Sequence, residues 1–135
     1  LVEEMIVPFM KRVTDFIHSK GKAAELHSCG QILKQVPNMI KAGWDCWQPQ
    51  PMNDIKTIYE LYGDKIVIGT LPEKFDPRTT PEEEQRAIAR AYADLYCKPV
   101  KPSYLNFDAM ALLTPAFREE LYKQSRINYC GEARP

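Results

Sequence analysis

Three times along this chain an amphipathic segment runs into a glycine, and each time a short apolar stretch follows, with glycine at Gly21, Gly43 and Gly63. Apolar residues spaced three and four apart make one helical face, glycine ends a helix readily, and a short apolar run bounded by such breaks reads as a strand. Ile6, Phe9, Met10, Val13, Phe16 and Ile17 give the first helical stripe, whose regular part begins near Pro8, and AAELHS after Gly21 fits a strand. GQILKQVPNMIKAG predicts a helix through Ile32, Leu33, Val36, Met39 and Ile40, kinked at Pro37. WDCWQ is then a second strand, Asn53 a helix cap, and Ile55, Ile58, Tyr59 and Tyr62 the buried stripe of the helix that Gly63 closes. KIVIGT is a third strand. Thr80-Pro81-Glu82-Glu83 has the form of a capping box with proline at the first helical position, and Ala87, Ile88, Ala91, Tyr92 and Leu95 carry that helix toward Cys97. PSYLNF reads as a fourth strand, and Thr114-Pro115 opens a last helix containing Phe117, Leu121 and Tyr122.

Strands that alternate with helices pair in parallel, because a tight hairpin cannot return the chain to start a parallel neighbour. The expected class is therefore α/β. Four parallel strands with flanking helices amount to half of a (β/α)8 TIM barrel, which takes about 250 residues when complete, or else to a small open sheet. At 135 residues the chain fits a single domain spanning 1–135. Its start at Leu1, inside an amphipathic pattern, agrees with a barrel half taken from something longer.

Eighteen basic and eighteen acidic residues cancel without forming a block of one sign. That balance argues against a nucleic-acid stripe or a polybasic membrane contact. The cluster MIVPFM is too short, and too closely flanked by Glu3, Glu4, Lys11 and Arg12, for a signal peptide or a membrane span. Cys29, Cys46, Cys97 and Cys130 are widely spaced and contain no C-x-x-C, which points to a reducing, cytoplasmic setting.

In either kind of parallel sheet the ligand site lies beyond the carboxyl ends of the strands. Those ends carry His27-Ser28-Cys29-Gly30, Gln48-Pro49-Gln50, Gly69-Thr70 and Asn106-Phe107-Asp108. Side chains two apart in extended chain point the same way with Cα atoms about 6.6 Å apart, so His27 and Cys29 can chelate one ion. Imidazole with thiolate favours zinc. The plainer reading is a half-buried histidine beside a small hydrophobic cysteine. Gln48, Gln50, Thr70 and Asn106 are candidate substrate contacts, and Asp108 is a candidate metal ligand or base, although a loop aspartate often only caps a turn. Cys46 reads as core, Trp44 and Trp47 as packing residues, and Glu82 to Glu84 as partners of a helix dipole. No G-x-G-x-x-G, Walker or G-x-S-x-G motif occurs, so nucleotide binding and serine hydrolysis have no basis.

HSCGQILKQVPNMIKAGWDCWQPQ, with YGDKIVIGTLP after it, resembles the C-terminal half of the uroporphyrinogen decarboxylase superfamily, and the likeness runs over essentially the whole chain. That superfamily includes cobalamin-dependent methyltransferases, and the resemblance implies an eight-stranded α/β barrel. In the methyltransferase branch the His and Cys of H-x-C bind zinc, a later cysteine completes the set, and the metal helps a thiol take a methyl group from methylcobalamin. The carry-over gives His27 and Cys29 as ligands. The stretch where the third belongs, YLNFDAMALLTP, has no cysteine, leaving Asp108 as the nearest substitute and Cys97 on the preceding helix. The decarboxylase branch binds a tetrapyrrole through residues of an N-terminal half not contained in this sequence. Its histidine near the last strand has no counterpart in NFDAM. The expected activity is thus zinc-assisted, corrinoid-dependent methyl transfer. Tetrapyrrole decarboxylation and a non-catalytic corrinoid- or tetrapyrrole-binding half are the alternatives. Expected partners are a small-molecule substrate or corrinoid protein and the N-terminal half of the barrel.

Overall fold

A computed structural model of the chain describes residues 1–131. The fold is α/β, with a four-stranded parallel sheet in chain order β1 (Glu25–Ser28), β2 (Cys46–Pro49), β3 (Val67–Thr70) and β4 (Ser103–Leu105), and with flanking helices. Sequence-neighbouring strands lying side by side in parallel is the order that a barrel half requires. By its packing the chain divides into two compact units, one from Leu1 to Gly69 and one from Thr70 onward.

In the first unit α1 (Val2–Met5) and α2 (Val7–Ser19) precede β1, a 3-10 turn and α3 (Val36–Lys41) follow it, and α4 (Ile55–Tyr62) follows β2. Parallel register sets Leu26 beside Trp47 and Trp47 beside Ile68. Trp47 and Ile68 are buried with Val36, Met39, Ile58 and Tyr59, so this face of the strands holds the core. The alternate residues behave oppositely: Glu25 and His27 are exposed, and Cys46, Gln48 and Val67 are only half-buried. Side chains of period two separate a covered face from an open one. Helices cover one side of these strands, as they do on the outside of a barrel.

Several local expectations change. Pro37 does not kink a helix but stands in the first turn of α3, where its missing N–H costs nothing. The cap of α4 is Asp54, whose carboxylate accepts from the Thr57 N–H, rather than Asn53. Gly43 ends α3 in the left-handed region at φ +84. It also lies against α2: a Cβ there would meet the Thr14 hydroxyl at 3.0 Å. That hydroxyl, fully buried, donates to the Ala42 carbonyl at 2.6 Å. Thr14 is the one buried residue of α2. Consequently Phe9, Val13 and Phe16, expected in the core, are 63%, 51% and 64% exposed. The helix is turned so that its contact runs through Met10, Thr14 and Ile17 instead.

In the second unit α5 (Glu82–Tyr96) and α6 (Pro115–Cys130) flank β4, with a 3-10 turn from Phe107 to Leu112 between β4 and α6. Ala89, Ala93, Tyr92 and Phe117 are buried. Arg86 meets Glu119 at 2.9 Å and Arg90 meets Glu120 at 3.0 Å, a ladder whose rising order shows the helices side by side and parallel. Thr114 caps α6 as expected. The capping box at Thr80 does not form: the N-cap position falls on Pro81, and the Gln85 amide instead donates to the Thr80 carbonyl at 2.7 Å while accepting from the Thr114 hydroxyl. Among the described residues no helix is long and apolar enough to cross a membrane.

Candidate functional site

His27 and Cys29 both reach solvent, and exposure alternates through Glu25, His27 and Cys29 along β1 and just past its carboxyl end. Among the described residues neither side chain makes a hydrogen bond or an ion pair. An imidazole near the end of a strand and a thiol just past it, neither with a partner among the described residues, are two donors available to a metal. Gln48 lies directly opposite His27 in the parallel register.

Cys46 is not their companion. It sits at the amino end of β2 opposite Glu25, four positions short of the Cys29 level, which at about 3.3 Å per residue is about 13 Å along the strands. Its thiol is pushed up by burial first and then by the carboxylates of Glu25 and Asp45, which keeps it protonated. Its place on the half-open face also corrects its reading as a core residue. Among the described residues no group of three His, Cys, Asp or Glu is arranged to hold a metal ion. The donor types at His27 and Cys29 suit zinc, but they amount to two positions of a tetrahedral set.

The turn that carries Cys29 is tied down on both sides of it. Before it, the Trp47 indole N–H donates to the Ser28 hydroxyl at 2.8 Å. After it, the Gly30 N–H donates to the Gln50 side-chain oxygen at 2.8 Å. Gln50, expected as a substrate contact, is thus engaged in shaping the turn. Asn53, nearly buried at 7% exposure, adds three bonds. Its oxygen accepts from the Ile32 N–H at 3.1 Å, and its amide nitrogen donates to the carbonyls of Gly30 at 2.9 Å and Gln50 at 3.0 Å. The sequence pattern around Asn53 predicts only a helix cap. The available signal was its place immediately before Asp54, which does that work.

In the second unit Thr70 is fully buried, and its hydroxyl pairs with the Tyr92 hydroxyl at 2.8 Å and lies 3.3 Å from the Ser103 hydroxyl and the Tyr104 carbonyl. Burial drives the Tyr92 phenol far above its ordinary range, so it stays neutral. Asn106 is buried too. Its N–H donates to the Thr70 carbonyl at 2.9 Å, and its side-chain oxygen accepts from the Asp108 N–H at 3.1 Å, which makes it the cap of the following turn. Asp108 is exposed in that turn. Cys97 closes α5, half-buried, with its thiol pushed up chiefly by burial. No family model, curated protein or solved structure matches this chain.

Proposed function

We propose that the chain is the C-terminal half-barrel of an enzyme of the uroporphyrinogen decarboxylase superfamily, working as a zinc-assisted, corrinoid-dependent methyltransferase in a cytoplasmic setting. The observation that carries this reading is the pair His27 and Cys29, exposed at and just past the carboxyl end of β1 and without a side-chain partner among the described residues. Four free thiols fit a reducing compartment. Zinc bound there would lower the pKa of an incoming thiol, making it a nucleophile at neutral pH. The chain's own part is to hold the imidazole and thiolate donors at a strand end and to offer Gln48 beside them to orient the acceptor. In the second unit Asn106 and Thr70 shape the strand ends, and the complementary barrel half is the partner.

Zinc analysis after loading tests the assignment. The expected result is bound zinc in the wild-type protein and loss of it in Cys29→Ser, with the fold retained. No bound zinc, or full retention in Cys29→Ser, would leave the methyl-transfer reading without chemistry. A second reading is a non-catalytic half that binds a corrinoid or tetrapyrrole. Tight corrinoid binding by metal-free protein would support it.

A further inference from the structure

Among the described residues the Cys29 side chain makes no hydrogen bond or ion pair, yet the residues on both sides of it are fixed from β2 and the loop after it. Ser28 is held by Trp47, Gly30 by Gln50 and Asn53, and Ile32 by Asn53 again. Asn53 has one side-chain carbonyl acceptor and one NH2 donor group, and both are used across the gap between the two loops. Its bonds to an N–H and a carbonyl of the Cys29 turn and to a carbonyl of its own loop leave it little room to move. Gly30 adopts φ +89, which an L side chain rarely takes, although a Cβ there would find open space with Ile32 no nearer than 4.0 Å. The requirement at Gly30 is therefore conformational, and something must hold that conformation. Exposed turns have little else to define them.

We infer that Asn53, seconded by Gln50, is the positioning residue of the Cys29 turn, fixing where the thiol stands relative to the His27 imidazole. The inference rests on the reading of His27 and Cys29 as metal donors. Groups that orient a ligand from behind commonly change metal affinity by about 10-fold to 100-fold when removed. Ile32 N–H and the Gly30 carbonyl lose their partner in Asn53→Ala, and the turn becomes free to carry Cys29 away from His27.

Cobalt(II) titration of the full chain provides the test, with the thiolate-to-cobalt charge-transfer band as readout and circular dichroism to confirm folding. The expected result is a band in wild type that disappears in Cys29→Ser. In Asn53→Ala the apparent affinity should fall about 10-fold or more. Gln50→Ala, which removes a single bond from a less buried position, should give a smaller loss and serves if Asn53→Ala does not fold. A nitroxide on Cys29, with Cys46, Cys97 and Cys130 replaced by serine, reports the turn's mobility without any metal. Its spectrum should be motionally restricted in that background and sharpen when Asn53 or Gln50 is replaced by alanine. Unchanged cobalt affinity in both variants overturns the inference. If wild type shows no charge-transfer band, the donor reading fails instead. The nitroxide then decides the positioning role by itself, an unchanged spectrum overturning it and a sharpened one supporting it.

Discussion

Replacing Gly43 with alanine should destabilise the protein through two separable effects. The first is conformational: at φ +84 any residue with a Cβ pays about 1–2 kcal/mol. The second is steric, because the new Cβ would stand 3.0 Å from the Thr14 hydroxyl oxygen and an ordinary 3.7 Å from the Thr14 Cβ. The oxygen cannot simply turn away, since its single proton is held by the Ala42 carbonyl at 2.6 Å, with the Lys11 carbonyl also in reach at 3.0 Å. Overpacking of this kind adds about 1 kcal/mol. Gly43→Ala should therefore cost about 2–3 kcal/mol in urea unfolding at neutral pH. Thr14→Ala removes the oxygen and alone should cost about 1–3 kcal/mol, since it leaves the buried Ala42 carbonyl without that donor. In the double variant the steric effect has no partner, so the two changes together should cost about 1 kcal/mol less than their sum. Additivity within about 0.3–0.5 kcal/mol would mean that only the backbone conformation matters at Gly43, and the close approach of α2 would be refuted as its reason.

Tyr92→Phe should cost about 1 kcal/mol in the same assay, because the Thr70 hydroxyl keeps only its two 3.3 Å neighbours; a loss above about 3 kcal/mol would show that more than this hydroxyl pair is involved. The Asp45 carboxylate is held below its ordinary range, first by the Ala24 N–H and then, against an opposing effect of burial, by His18, whose Nε2 lies 2.7 Å away. A carboxyl whose pKa falls on folding adds stability above its unfolded value of about 3.9, and this stability is lost as pH drops through the lower folded value. Its side chain is 41% exposed, so the contribution is about 1 kcal/mol or less, and Asp45→Asn should flatten the fall in urea midpoint between neutral pH and pH 3; an unchanged slope counts against the pair. Phe16→Ser on α2 should change stability by less than about 0.5 kcal/mol, whereas Trp47→Ala should cost about 3–5 kcal/mol. The same Phe16→Ser change should lower binding of a hydrophobic dye by the native protein, and equal dye binding would show that the α2 stripe is not the exposed apolar surface.

The helix–glycine–strand rhythm was legible because it is written in short-range chemistry: apolar spacing, glycine breaks and the Thr114-Pro115 start all act within a few residues. Ile58, Tyr59, Val36 and Met39 fall in the core where their spacing puts them. Phe9, Val13 and Phe16 have the same spacing and stay exposed, since a stripe tells that a helix has an apolar side but not whether the chain supplies a surface to cover it. The misplaced cap shows a different limit. Asn53 and Asp54 are equally good caps in isolation, and only the nearness of Gly30 and Ile32, more than twenty residues earlier in the chain, assigns one to the helix and the other to the loop. The place of Thr70 at a strand end is legible in the sequence. Which face it takes depends on strand pleat and on Tyr92, a helix away.

The three bonds of Asn53 also give the protein a way to age. Hydrolysis of that one amide would replace its NH2 by oxygen and leave a carboxylate facing the carbonyls of Gly30 and Gln50, turning two attractions into repulsions while the mass rises by about one dalton. Burial at 7% exposure shelters the amide from water and base, so the native fold protects this clasp. Material kept partly unfolded would lose that shelter, and chains damaged at this position would refold with the Cys29 turn sprung open.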